Sequence, residues 1–309
     1  MILCCGEALV DMIGGGEEAA PLSFIAHPGG AIFNTAIALG RLGAEVGLLA
    51  GLSDDSFGTL LVTALAASNV DLSTLIRSDR PTTLAFVRLI EGQASYMFYD
   101  ENTAGRMIRA ANLPPVPDRV SALYFGGISL INTPCADTFC ALALREAPRR
   151  LIMADPNIRP ALIRNPRSYR ARLSALLAVC DIVKLSDEDL DWLVPGPLSL
   201  PERARALAAT GPRLVIVTQG AAGALAFTTE GQIAHVAAVP AHVVDTVGAG
   251  DTFNAGVLAH LARLGRLEKA AFAHLTAAEV ESALHYGAQV AAVTVARAGA
   301  NPPWRAELA

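Results

Sequence analysis

Lysine is nearly missing from this chain. Of 309 residues only Lys184 and Lys269 are lysine, although Lys and Arg together number 24. Neither follows a glycine, so the phosphate-gripping lysine of a G-x-x-x-x-G-K-[ST] loop has no candidate. Any nucleotide chemistry must be done another way. Cysteines are few and odd in number, five, and Cys4 and Cys5 stand side by side in an apolar run. That is neither a disulfide framework nor a metal-ligand spacing, and it fits a reducing cytoplasmic compartment. Charged residues make up 17%, net charge is −5 and no Lys/Arg run occurs, which excludes a nucleic-acid or acidic-membrane surface. Long apolar runs are lacking too, despite a mean hydropathy of +0.41. The longest stretch without Asp, Glu, Lys or Arg, Ala19 to Gly40, holds Pro21, His27, Pro28, Gly29, Gly30 and Asn34. It cannot be one spanning helix. The opening Met1-Ile2-Leu3-Cys4-Cys5-Gly6-Glu7 has no basic n-region and too short an apolar run for a signal peptide.

What is present is ample apolar material, 52% of residues, which excludes disorder and suffices for a sizeable core. Short β-branched runs alternate with longer Ala/Leu-rich ones. Ile2–Cys5, Val46–Ala50, Leu123–Phe125, Leu151–Ala154, Ile182–Leu185 and Leu214–Thr218 read as buried parallel strands. Asn34–Leu42, Phe57–Ser68, Pro134–Ala147, Arg167–Val179, Glu188–Val194, Pro201–Thr210, Thr252–Leu264 and Thr276–Ala296 read as helices. The alternation predicts an α/β fold, a doubly wound, mostly parallel sheet flanked by helices, over 1–309 as a single domain. Two segments break the rhythm. Thr82–Ile90, the turn Glu91-Gly92-Gln93 and Ala94–Tyr99 form a hairpin signal, and Leu9–Ile13, Gly14-Gly15-Gly16 and Leu22–Ile25 form a second. They are expected to build a small β-sheet lid from about 9–27 and 82–104; the alternative is edge strands of the main sheet.

The strongest chemical signal is Asp245-Thr246-Val247-Gly248-Ala249-Gly250-Asp251-Thr252-Phe253-Asn254-Ala255-Gly256, a Gly-rich turn opening into an apolar helix. Gly248, Ala249 and Gly250 let consecutive N–H groups converge, and the helix dipole adds roughly half a positive charge. The result is an anion hole made from main chain alone, with Asp251 at its mouth. A plain turn and cap would use the same residues. A second Gly-rich turn enters a helix at Pro28-Gly29-Gly30-Ala31-Ile32-Phe33-Asn34, followed by Gly40-Arg41-Leu42-Gly43 and Gly51-x-x-Asp54-Asp55-x-Phe57-Gly58. Val215-Ile216-Val217-Thr218-Gln219-Gly220-Ala221-Ala222-Gly223 is a strand opening into a Gly turn at its carboxyl end, where α/β folds bind ligands. A dinucleotide oxidoreductase would need G-x-G-x-x-G after the first strand, and Gly14-Gly15-Gly16-Glu17 lacks that spacing.

The two Gly-rich segments resemble the two signature motifs of the PfkB (ribokinase-like) carbohydrate kinases, one over Gly29 to Gly58 and one over Asp245 to Val257. With intermediate motifs the resemblance runs along essentially the whole chain. It implies transfer of the γ-phosphoryl of ATP, with Mg²⁺, to a sugar hydroxyl, Asp251 being the general base and Gly248, Ala249 and Gly250 the amide donors. It further implies Thr218, Gly220 and Gly223 at the nucleotide, with Ala288 beside Gly287 and Ala291 admitting adenine. The element Lys184-Leu185-Ser186-Asp187-Glu188-Asp189 is implied to organise metal and phosphate, with Lys184 at the nucleotide and Asp189 at the metal. Asp245, Val247 and Gly299 fall where such enzymes hold a monovalent cation, K⁺.

For the acceptor, the resemblance implies Asp11, Gly29, Gly30 and Asn34 as a polyol-reading edge, with Phe98 of the lid over the sugar. Asp155-Pro156-Asn157-Ile158-Arg159-Pro160 resembles a stretch of fructokinases and 2-keto-3-deoxygluconate kinases, in which Arg159 binds a sugar oxygen, a substrate carboxylate or the nucleotide side. Asp100 and Glu101 beside the acceptor would disfavour an anionic one, so a neutral ketose, fructose, is preferred. 2-Keto-3-deoxygluconate kinase, ribokinase and nucleoside kinase activities stay open, as does a non-catalytic sugar-binding regulator on the same fold. Small-molecule substrate and ATP are the expected partners, with no nucleic acid, no membrane and a homodimer through the lid.

Overall fold

The computed structural model describes residues 1–14, 23–90 and 93–308. The Gly15-Gly16 and Glu91-Gly92 turn positions, and Leu22 of the expected second strand, lie outside the described residues. From the N-terminus, β1 (Ile2–Cys5) leads to an antiparallel pair, β2 (Leu9–Gly14) and β3 (Phe24–Gly29), then α1 (Ala31–Arg41), β4 (Val46–Leu49), β5 (Gly51–Ser53) and α2 (Ser56–Ala67). After β6 (Ile76–Ser78) comes a second antiparallel pair, β7 (Leu84–Ile90) and β8 (Gln93–Tyr99). Strand and helix then alternate through β9 (Ala122–Gly126), α3 (Cys135–Glu146), β10 (Leu151–Asp155), α4 (Pro166–Leu177), β11 (Ile182–Ser186), α5 (Asp187–Leu193), α6 (Leu200–Ala208) and β12 (Leu214–Thr218). The chain closes with β13 (Ala224–Thr228), β14 (Gly231–Val236), α7 (Ala249–Arg263), α8 (Lys269–Phe272) and α9 (Ala277–Val295).

The continuous apolar runs do what two-sided burial requires. They form a sheet in the order β14-β13-β12-β11-β10-β9-β1-β4, parallel from β4 to β12 and antiparallel at β13 and β14. Successive residues of each strand enter different cores. Cys4, Tyr124 and Met153 pack with α1, α7 and α9, whereas Cys5, Phe125 and Ala154 pack with α3, α4 and α6. The adjacent cysteines therefore point into opposite layers. The expected doubly wound sheet is present.

The two hairpin segments do not extend that sheet. They form a separate four-stranded sheet in the order β3-β2-β7-β8, joined through parallel pairing of β2 with β7. The edge-strand alternative is not what the chain adopts. Its register places His27, Asp11, Ala85 and Phe98 in one row, so these four share one face.

Helix α7 begins a turn earlier than the apolar pattern predicts, at Ala249 rather than Thr252. Its N-cap, Gly248, sits in the left-handed region at φ 77°, open to glycine at little cost. The Ala-Gly-Asp sequence thereby becomes the first helical turn. Farther along, α7 crosses α9 at two glycines, where a Cβ on Gly256 would stand 2.7 Å from Gly287 Cα. Gly256→Ala should therefore force the helices apart and cost about 1–3 kcal/mol, as overpacking does; a lowered urea midpoint with an unchanged slope would show it.

Candidate active site

The carboxyl ends of the parallel strands point toward the N-terminus of α7, and the site lies there. The first-turn amides of a helix have no intrahelical acceptor. Here Ala249 N–H turns back to the Thr246 carbonyl (3.3 Å), so of the three expected amide donors Ala249 is engaged within the turn. Asp251, third in the helix, is buried, and its Oδ2 accepts a hydrogen bond from Asn34 Nδ2 at 2.9 Å. Thr35 Oγ1 donates to the Asp251 carbonyl at 3.1 Å. Burial above all pushes the Asp251 carboxyl up to about 7, the charges of Asp155 and Glu7 adding to the rise while Asn34 and Lys184 oppose it. A carboxylate poised near neutrality is what a general base requires.

A cation lies close to the expected main-chain anion hole. Lys184, at mid-strand in β11, reaches under the helix start, and a Cβ on Gly250 would lie 3.1 Å from its Nζ. The ammonium is buried and paired with Asp155 Oδ2 at 2.9 Å. Asp155 ends β10 and also accepts from Asn254 Nδ2 (2.7 Å) and Asn157 N–H (3.2 Å). Asn254 Nδ2 reaches Tyr124 Oη at 2.9 Å as well. Asp155, Asn254 and Tyr124 escaped the sequence reading. A carboxylate at the carboxyl end of a central strand was the available signal, but only Arg159 of that stretch was given a role.

On the acceptor side, Asp11 is partly buried, and desolvation raises its carboxyl to about 6. Gly29 is there because a Cβ would collide with Asp11 Oδ2, and Gly30, at φ 106°, is the N-cap of α1. Phe98 shares the row of Asp11 on the small sheet. Glu7, also unforeseen, accepts from Ala31 N–H (3.1 Å) and Ser129 N–H (3.2 Å), tying the start of α1 to the loop after β9. Asp100 is not a bare negative charge. It pairs with Arg106 at 3.0 Å and accepts from Asn132 Nδ2 at 2.8 Å, while Glu101 pairs with Arg164 at 3.2 Å. The electrostatic objection to an anionic acceptor accordingly loses its basis.

Across α7 from Asp11 opens a cleft of about 640 Å³, lined by Thr218, Gly220, Gly223, Ala249, Gly250 and Ala288 among others. Gly223, at φ 96°, turns the chain so closely on β14 that a Cβ would strike the Val236 carbonyl. Ala291 also lines the cleft, but Gly287 does not: it serves the α7–α9 crossing. Asp189, in the first turn of α5, accepts from Ile158 N–H at 3.2 Å, and its carboxyl rises to about 6, mainly by burial. The exposed Arg159 opposes that rise, which places its charge beside Asp189. Asp245 accepts from Val247 N–H (3.0 Å) and Gly299 N–H (2.8 Å), drawing together the three expected cation-site positions. Among the described residues, no group of three or more His, Cys, Asp or Glu could hold a metal ion.

A buried carboxyl at a helix N-terminus, an ammonium close to it and a Gly-lined cleft beside it suit phosphoryl transfer to an alcohol. Comparison with known proteins narrows the class. Residues 1–307 match the model of the pfkB family carbohydrate kinases, and the chain belongs to that family. It is 51% identical over 265 residues to a fructokinase of Rhizobium leguminosarum bv. trifolii, covering 84% of this chain and 79% of the relative. The ATP-bound fructokinase structure from Xylella fastidiosa superposes with a TM-score of 0.87 at 29% identity, over 99% of this chain and 97% of that one. Aminoimidazole riboside kinase from Salmonella enterica, in complex with its riboside and an ATP analogue, superposes at 0.86 and 26% identity, over 99% and 98%. The protein is an ATP-dependent sugar kinase with a ribokinase-like fold.

With Asp251 as the general base that the family resemblance implies, kcat/KM should rise with pH through a limb near 7 and fall about tenfold per unit below it. A pH–rate profile without that acidic limb would contradict the base assignment.

Proposed function

We propose that the protein phosphorylates fructose, with Asp251 taking the proton of the attacking hydroxyl. The observation that carries the mechanism is the buried Asp251 carboxylate, held by Asn34 at the head of α7. Its position beside the Gly250 amide puts base and anion hole on one helical turn. Fructose as acceptor rests on the likeness to the Rhizobium fructokinase, now that the Asp100 and Glu101 charges are paired. Asp11, Gly29, Gly30 and Asn34 would hold the sugar hydroxyls, with Phe98 over its apolar face. Closure of the small sheet as a lid would exclude water that could take the phosphoryl group.

Thr218, Gly220, Gly223 and Ala288 would line the ATP site. Asp189 suits Mg²⁺: a single carboxylate is what that ion takes when phosphates and water supply its other ligands. Magnesium when bound offsets phosphate charge, and Arg159, beside Asp189, would add to that effect on the nucleotide side. Asp245, with Val247 and Gly299, would hold K⁺ against the loop that precedes α7. Five buried free cysteines accord with a cytoplasmic setting.

Asp251→Ala should abolish phosphoryl transfer while ATP binding is largely kept, as calorimetry would report; substantial remaining turnover would overturn the assignment. An ADP-release screen over fructose, ribose, 2-keto-3-deoxygluconate, adenosine and inosine should give fructose the highest kcat/KM. Preference for a riboside would move the protein toward the Salmonella enzyme's chemistry.

Ile13 is 41% and its cross-strand partner Ile25 61% exposed on one face of the small sheet. A second copy covering them would make a homodimer through the lid. Sedimentation should show a dimer that Ile25→Lys dissociates; a wild-type monomer at high concentration would refute it.

A further inference from the structure

The buried group that the mechanism leaves unused is Asp155. We propose that Asp155 is a positioning residue: it fixes the Lys184 ammonium beneath the Gly250 amide, where that ammonium serves as a cationic donor to the phosphoryl group in transfer. The proposal rests on the kinase reading above and deepens it at the same site.

Four observations carry it. The Lys184 ammonium is almost wholly buried, yet among the described residues Asp155 Oδ2 is its one hydrogen-bond acceptor. An ammonium has three donors, so two remain uncommitted in a place where unsatisfied charge is costly. Its location 3.1 Å from where a Gly250 Cβ would stand directs those donors toward the first turn of α7. Asp155 cannot swing away, because Asn254 Nδ2 and Asn157 N–H hold its two oxygens at 2.7 and 3.2 Å. Asn254 comes from the same helix as Asp251 and lies one turn after it, so the anchor of the cation and the base are fixed to one element. The Asn254 Oδ1, buried without a partner, marks this network as incomplete on the protein's own groups. An ion pair kept only for stability would not need a glycine at 250, whose missing side chain leaves room at the ammonium.

The test is a double-mutant cycle on Asp155→Asn, Lys184→Met and the double variant, which keeps the shape and removes both charges. Each protein is first checked for folding by circular dichroism. Asp155→Asn should lower kcat by roughly 10–100-fold, the range for residues that orient a ligand-binding group. Lys184→Met should lower it by about 100-fold or more, as loss of one preorganised donor does. The double variant should match Lys184→Met rather than multiply the two losses, since Asp155 acts through the lysine. A readout besides turnover is binding of ADP with aluminium fluoride and sugar. Lys184→Met should weaken that complex at least about tenfold while ADP alone binds nearly as in the wild type.

The pH profile gives a further check. The charged or polar groups facing Asp251 are Asp155, Lys184, Glu7 and Asn34. Its acidic limb should move to higher pH in Lys184→Met and return toward the wild-type position in the double variant. A folded Asp155→Asn with wild-type kcat would overturn the proposal. So would a double variant far below Lys184→Met, or unchanged aluminium fluoride binding in Lys184→Met. If Asp155→Asn does not fold, the comparison of Lys184→Met with the double variant decides alone. Failure of the wild type to phosphorylate any sugar would instead sink the kinase reading, before any variant is compared.

Discussion

Everything at the site hangs on the join between α1 and α7. Asn34 and Thr35 reach the side chain and the carbonyl of Asp251 at 2.9 and 3.1 Å. These bonds come from residues more than 200 positions apart, and each helix starts at a glycine cap that lets its first turn face the other. The buried carboxylate costs stability when ionised, since its carboxyl sits near 7 instead of in the ordinary range. That cost is tolerated because α7 is sunk in the core: Thr252, Phe253, Asn254, Ala255 and Leu258 are all buried around it. Rigid packing holds the reactive group where solvent would otherwise let it move.

Much of this was legible in the residue pattern, for identifiable reasons. Parallel strands buried on both faces read as continuous apolar runs, so β1, β11 and β12 stand out from their neighbours. The Asp245 to Gly256 segment is also plain, because glycines before an apolar helix answer a local backbone need. Gly29 and Asp11 carry their own explanation, one leaving room for the other. By contrast, strands as short as β5 and β6, three residues each, have no periodicity to show.

The partners of the lysine under α7 were harder to see. Lys184 sits in the middle of an apolar strand, and its partners come from β10 and from α7, so no local spacing joins them. The absence of a Gly-Lys loop excludes one fold's solution, but not the use of an ammonium at the phosphates. Asp100 teaches the same lesson with opposite sign. In sequence it is a charge beside the acceptor; in space Arg106 pairs with it and Asn132 donates a hydrogen bond to it. Electrostatic arguments from sequence fail wherever the partner is remote in the chain.

The small sheet and the main body divide the proposed site between them. Asp11, the carboxylate proposed to hold the acceptor, belongs to that sheet, whereas Asp251 and the Gly250 turn, proposed as base and phosphate cradle, belong to the main body. A polyol that touches both is a physical tie between the two sheets. A lone water molecule is too small to span them, so it cannot recruit the cover that makes transfer efficient. On the roles proposed for Asp11 and Asp251, this division between sheets would favour transfer to a polyol over idle hydrolysis of ATP, by geometry rather than by any gatekeeping side chain.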